Sequence, residues 1–161
     1  MTLDEAKAIE VGNHFTLYEF LQSETAEANG LMDDQLAIPD EFIDNIKYLC
    51  AEILDRLRNQ QGRVDISSGW RSKELNAEIG GAANSAHLTG EAADIQCDHL
   101  KLAYDYIKAR LWFDQCIMER KGSDEKGWIY WIHVSKKRKG HNRGQAFYIS
   151  NGKITPKFEV K

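Results

Sequence analysis

The run Ser85-Ala86-His87-Leu88-Thr89-Gly90-Glu91-Ala92-Ala93-Asp94 sets an imidazole and a carboxylate seven residues apart, with small residues between them. A second imidazole follows in the aromatic run Trp128-Ile129-Tyr130-Trp131-Ile132-His133-Val134. Neutral imidazole nitrogen and carboxylate oxygen are ligands that zinc prefers, and three protein ligands leave the fourth tetrahedral position open for water. If His87, Asp94 and His133 converge, the chain carries a hydrolytic zinc site with one ion. A seven-residue separation does not put His87 and Asp94 on one helical face. They meet only if His87 sits on a loop and Asp94 on the strand that follows, with His133 on a neighbouring strand. Gly90, Ala92 and Ala93 would let the backbone turn tightly there. His14, His99 and His141 have no such company and read as ordinary polar residues.

The elements that must position these groups are legible from periodicity. Thr16 caps a short helix over residues 17–21, with Glu19 in the capping-box position. The strongest helical signal spans residues 39–61. Pro39 suits its first turn, Phe42, Ile46, Leu49, Cys50, Ile53 and Leu57 recur at three- and four-residue steps, and Gly62 ends it. The period then changes to two over residues 64–67. Ser72 caps a helix over 73–79, Gly80-Gly81 opens a loop, and residues 91–96 alternate again. A second amphipathic helix is expected over 98–110, with Leu102, Tyr106 and Ile107 on its apolar face. Strands are expected over 113–120, 128–135 and 146–150, with Asn151-Gly152 as a hairpin turn. Helices first and strands later describe a single α+β domain, its N-terminal helices packed on a small, mainly antiparallel sheet.

A length of 161 residues suffices for one buried core and is too short for two ordinary domains. Net charge is -4, so nothing calls for a nucleic-acid partner. The basic run Lys136-Lys137-Arg138-Lys139 reads as a solvated turn. No apolar stretch has the ~20 residues needed to span a bilayer. The first residues are acidic and lack a signal peptide's apolar core, so the expectation is a chain cytoplasmic as synthesised, and a monomer. Cys50, Cys97 and Cys116 show no CxxC spacing. Cys50 and Cys116 read as buried thiols, and Cys97, near Asp94 but strand-borne, as aimed away from it.

Ser68-Gly69-Trp70-Arg71-Ser72, then Asn76, then Gly80-Gly81-Ala82, then the Ser-x-His-x-x-Gly-x-Ala-x-Asp pattern from Ser85, resembles the zinc D-alanyl-D-alanine carboxypeptidases. The wider group holds L-alanyl-D-glutamate endopeptidases of phage endolysins and the hedgehog signalling domain. Trp131-Ile132-His133-Val134-Ser135 is similar to the downstream strand of that group. The opening His14-Phe15-Thr16-Leu17-Tyr18-Glu19-Phe20 resembles its short phage- and bacterium-encoded members. The resemblance covers roughly residues 13–150.

It implies a hedgehog/DD-peptidase-like fold and a zinc peptidase acting on bacterial peptidoglycan peptides, released to the wall from a phage, prophage or accessory context. His87, Asp94 and His133 become the zinc ligands. Arg71 becomes a catalytic and substrate-binding arginine, its planar fork suited to a carboxylate or polarised carbonyl; a plain ion pair is the alternative. Ser85 bonds either substrate or loop backbone. Many members place an acid or a histidine three positions before the last zinc histidine, as general base. Here that position is Tyr130, whose phenol titrates near ~10 and is a poor base. Glu119 on the preceding strand is the first choice for the base and Asp114 the second, with Tyr130 left as a hydrogen-bond donor to substrate. The rival reading is a catalytically impaired zinc-containing binding module of the hedgehog type. Carboxypeptidase and endopeptidase remain equally open.

Overall fold

In the computed structural model, which describes residues 1–161, the helix expected over 39–61 is continuous but uneven. It runs as α5 (Asp40–Leu49), a π-helical turn (Cys50–Leu54) and α6 (Asp55–Gln61), and Gly62 closes it with a positive φ. The wide turn receives the segment around Gly12: a Cβ on Gly12 would lie 2.8 Å from the Cys50 Cβ. Ile43, Ile46, Leu49, Cys50, Ile53, Leu54 and Leu57 all enter the core from this one helix. The short helices α1 (Leu3–Ala8), α2 (Leu17–Leu21), α3 (Glu24–Ala28) and α4 (Met32–Leu36) precede it. Thr16 and Glu19 form the expected capping box on α2. The helices α1, α3 and α4 carry too few apolar repeats to show in periodicity.

After β1 (Asp65–Ser68) come α7 (Lys73–Glu78), capped by Ser72, a 3-10 turn (Ala86–Thr89) and β2 (Ala92–Gln96). Then α8 (Leu100–Arg110) leads to β3 (Gln115–Ser123), β4 (Gly127–Ser135), β5 (Gln145–Ser150) and β6 (Lys153–Thr155). The six strands form one sheet in the order β1-β2-β4-β3-β5-β6. All neighbours are antiparallel except β3 and β5, which run parallel, so the sheet is mixed but mainly antiparallel. This is the expected small α+β domain.

Strand alternation gives the sheet two unlike faces. Ile66, Ala93, Ile95, Cys116, Met118, Ile132, Val134 and Tyr148 point into one core with the helices. The other face carries Asp94, His133 and Glu119. On α8 the buried positions are Ala103, Tyr104 and Ile107, and Leu102, expected on the apolar face, is 64% exposed. Tyr104 sets that phase, its ring 5.2 Å from Tyr148. Packing also runs beyond residues 13–150, since Ala6 is in the core and Phe158 and Val160 lie against it.

The basic run is a solvated turn only at its end, where Lys139 is exposed. Lys136 is buried, its ammonium donating to the Trp112 carbonyl at 2.7 Å and lying 3.6 Å from Glu52. Arg138 donates to Asn45 on α5 at 2.8 Å. These residues anchor the chain leaving β4, a role for the lysine stem and head that a charge count does not reveal.

Candidate metal centre

The β2–β4 register places Asp94 directly opposite His133, on the face away from the core. His87 arrives from the 3-10 turn just before β2. Its spacing to Asp94 is absorbed by that turn and by Gly90, which has φ 71° and sits against α5; a Cβ there would lie 2.5 Å from the Phe42 carbonyl oxygen. Only glycine fits both demands.

The three ligand atoms converge. Asp94 Oδ1 is 3.0 Å from His133 Nδ1 and 3.3 Å from His87 Nε2, and the two nitrogens are 3.2 Å apart. Ligands about 2.0–2.1 Å from a tetrahedral zinc ion lie about 3.3 Å from one another, so the triangle is of the right size. The chemistry of the donors agrees. His87 Nδ1–H donates to the Gly69 carbonyl at 2.6 Å, which leaves a lone pair on Nε2 facing Asp94 and His133. Burial pulls the His87 imidazole below its ordinary value against the pull of Asp94, so it is held in the neutral, ligating form. Burial alone would raise Asp94. The two imidazoles packed against it outweigh that burial, so the carboxyl sits well below the usual carboxylate range.

Arg71 closes the far side of Asp94. Its Nη2 donates to Asp94 Oδ2 at 3.1 Å and its Nε to Ser68 Oγ at 3.1 Å. The pair is an ion pair, but one 13–14% exposed and built on the cluster itself. Glu119 lies on the same face because β3 pairs it with Trp131, two residues before His133. Burial raises its carboxyl first and the Asp94 charge adds, while His133 and Arg71 oppose, and the outcome is a pKa pushed up to about 7. Arg71, Ser85, His87, Asp94, Glu119, Trp131 and His133 line a cleft of about 300 Å³.

Not every expected residue arrives here. Tyr130, adjacent to Trp131 along β4, points to the opposite face, where its ring lies 6.1 Å from Phe158. Asp114 is buried and engaged by Arg143, whose Nη2 and Nε donate at 2.6 and 3.0 Å. Ser85 caps the 3-10 turn by accepting from the His87 N–H at 3.3 Å, while its residue also lines the cleft. Cys97 accepts from Gln61 at 3.0 Å, and Cys50 and Cys116 are buried. Two supports were not visible in the sequence. One is the Gly69 carbonyl behind His87. The other is Gln35, wholly buried 36 residues before Arg71 and bonded to the backbone around it. A lone polar residue in a short helix carries no local sign of such a partner.

A model of the family described as Peptidase M15 matches residues 13–119, or 107 of the 161. The match takes in Arg71, Ser85, His87 and Asp94 and ends at Glu119, before the strand that carries His133. No curated protein matches the chain.

Proposed function

The chain belongs to the peptidase M15 family of zinc peptidases, and from that premise we propose that it cuts within the stem peptides of bacterial peptidoglycan, as an endopeptidase using one zinc ion. His87, Asp94 and His133 would hold the ion. When bound there, zinc lowers the pKa of a coordinated water and polarises the scissile carbonyl. Glu119 accepts a proton from the attacking water and returns it to the leaving amine, a task open to a carboxylate on the cleft wall beside the ligands. Arg71 braces Asp94 through Nη2 and lines the cleft, where its guanidinium also meets the substrate carbonyl. Ser85 and Trp131 form its walls.

The observation that carries the choice of bond is the shape of the cleft. It shares Arg71 and Ile79 with a cavity of about 590 Å³ along α3 and β1. It shares Ser85, Glu119 and His133 with another of about 620 Å³ beside the 82–89 loop. A peptide therefore has space on both sides of the ligand cluster, as an internal cut requires; a carboxypeptidase needs a blind end. The presence of Glu119 in the cleft also favours an enzyme over an inactive binding module, since it supplies the base that Tyr130 does not.

The test is digestion of purified peptidoglycan with mass analysis of released peptides, before and after chelation and zinc add-back. Internal fragments that vanish with zinc and return with it are expected. Undiminished hydrolysis by verified zinc-free protein would overturn the mechanism, and release of terminal D-alanine alone would overturn the endopeptidase assignment.

A further inference from the structure

We infer that Gln35 is a positioning residue for the metal centre, acting through the strap Gly69-Trp70-Arg71-Ser72; the inference rests on the zinc reading given above. Gln35 lies in α4, on no wall of the cleft, and is 0% exposed. Its amide is used at both ends. Nε2 donates to the Leu21 carbonyl at 3.0 Å and to the Trp70 carbonyl at 3.1 Å, and Oε1 accepts from the Ser72 N–H at 2.7 Å. The two strap bonds bracket Arg71.

The opposite side of the strap faces the cluster. The Gly69 carbonyl accepts from His87 Nδ1, the Arg71 N–H donates to the His87 carbonyl at 3.1 Å, Trp70 Nε1 donates to the Leu88 carbonyl at 3.0 Å, and the Arg71 guanidinium holds Asp94. Behind the strap there is no slack: a Cβ on Gly69 would lie 2.5 Å from the Phe20 Cα. Gln35 and α2 therefore fix the strap from behind, and the strap fixes the His87 tautomer and Arg71 in front. The chemistry is specific to glutamine. Two donors and one acceptor at that reach are needed at once, and a glutamate would aim a carboxylate at two carbonyl oxygens. An apolar isostere would leave three buried backbone groups unpartnered.

Gln35→Met and the volume-matched Gln35→Glu test this, with Leu57→Ala, a buried core site on α6, as a control for lost stability. Two readouts are taken on folded protein. The first is zinc affinity by competition with a chromogenic chelator. The second, on metal-free protein, is the exchange rate of the His87 Nδ1–H proton by NMR. Both Gln35 variants should lose about 10- to 100-fold in zinc affinity, the range for groups that orient a ligand, and should exchange the His87 proton faster, while Leu57→Ala changes neither. Native zinc affinity and a protected His87 proton in either Gln35 variant would overturn the inference. If neither variant folds, the wild-type chain decides. Zinc should slow exchange of the Gln35 side-chain amide and Ser72 N–H protons more than of the Arg143 N–H, because coupling is reciprocal; equal slowing would overturn it. A wild-type protein that fails to bind zinc sinks the function proposed above, whereas the His87 proton reports on Gln35 without metal.

Discussion

Two largely enclosed aspartates, Asp94 at 14% and Asp114 at 1% side-chain exposure, each face an arginine, yet only one belongs to a candidate reaction centre. Asp114 is surrounded by protons. Arg143 donates to it three times, from its backbone N–H at 3.0 Å and from its guanidinium at 3.0 and 2.6 Å, and Lys137 stands 3.7 Å away. Nothing is left for a further cation. Asp94 has a guanidinium on one oxygen only, and its other oxygen faces two imidazole nitrogens within 3.3 Å. One of those nitrogens brings a lone pair, because its ring proton is committed to Gly69. Acceptors crowded together without matching donors ask for a cation. The number of buried charges does not separate the two clusters; the balance of protons and lone pairs does.

The comparison breaks most directly at Asp94. Asp94→Asn removes a ligand charge while keeping volume, and zinc affinity should fall by more than about 100-fold, beyond the loss seen when only a supporting group is removed. Chelator competition measures this, and hydrolysis should be lost in parallel. Wild-type affinity in Asp94→Asn would show that the triangle is not the ligand set.

Glu119→Gln comes next and separates binding from catalysis. Zinc content should be unchanged while kcat falls by about 10²- to 10⁴-fold, the usual worth of a general base. The same change has a signature in metal-free protein. The Glu119 carboxyl is raised from 4.5 to about 7 in the fold, so the unfolded chain binds fewer protons than the folded one between those values. Wild-type stability therefore declines as pH rises from about 4.5 to 7, by about 1–2 kcal/mol once solvent screening is allowed for, and Glu119→Gln should lack that decline. Thermal unfolding at pH 5 and pH 8 measures it. Parallel pH dependence in the two proteins would mean that Glu119 is not a buried, raised carboxyl.

Asp114→Asn should do the reverse of Asp94→Asn. Its partners are more than a third exposed on their side chains, so the loss is placed at about 1–3 kcal/mol, below that of a fully buried pair. Zinc affinity and kcat should stay within about twofold, the margin of a site with no shared ligand. The Arg143 hydrogen bonds hold Asp114 below its ordinary value of 3.8, so the stability it contributes is present above that pH and lost as pH falls further. Asp114→Asn should accordingly flatten the acid end of the stability curve. A large drop in zinc affinity would unite the two clusters that the comparison separates.

How far the sequence reached follows from the range of each signal. The His87, Asp94 and His133 set was legible because a ten-residue motif and a short aromatic strand carry it. The α5–α6 helix and the capping box of α2 were legible because they are written in local periodicity and capping. Contacts between distant segments were not. Gln35 and the Trp70 backbone are 35 residues apart, and Asn45 reaches Thr89 and Arg138 from α5. Lys136 looked solvated because its partners, Glu52 and the Trp112 carbonyl, come from other elements. The place of Glu119 on the cleft was legible because a hairpin is itself a local device, and the β3–β4 register then puts it opposite Trp131.

Strand parity explains why Tyr130 turns away from the site, and it sets the smallest effect. Position 130 is an odd number of residues from His133, so on a regular strand its side chain leaves the opposite face. The structure keeps β4 regular through Gly127–Ser135, with Arg120 opposite Tyr130 and Glu119 opposite Trp131. The Tyr130 ring meets Phe158, whose own ring packs edge-on against Tyr148 at 5.0 Å on the core side. An acid three positions before the histidine would be stranded here on the wrong face, whereas a neighbouring-strand glutamate faces the ligands. Tyr130→Phe should therefore leave kcat/KM and zinc affinity within about twofold and stability within about 0.5 kcal/mol, as for a substitution away from any special feature. Steady-state kinetics on a stem-peptide substrate measures the first. A tenfold fall in kcat would place the phenol at the reacting carbonyl and demand a break in the strand that the observed register does not contain.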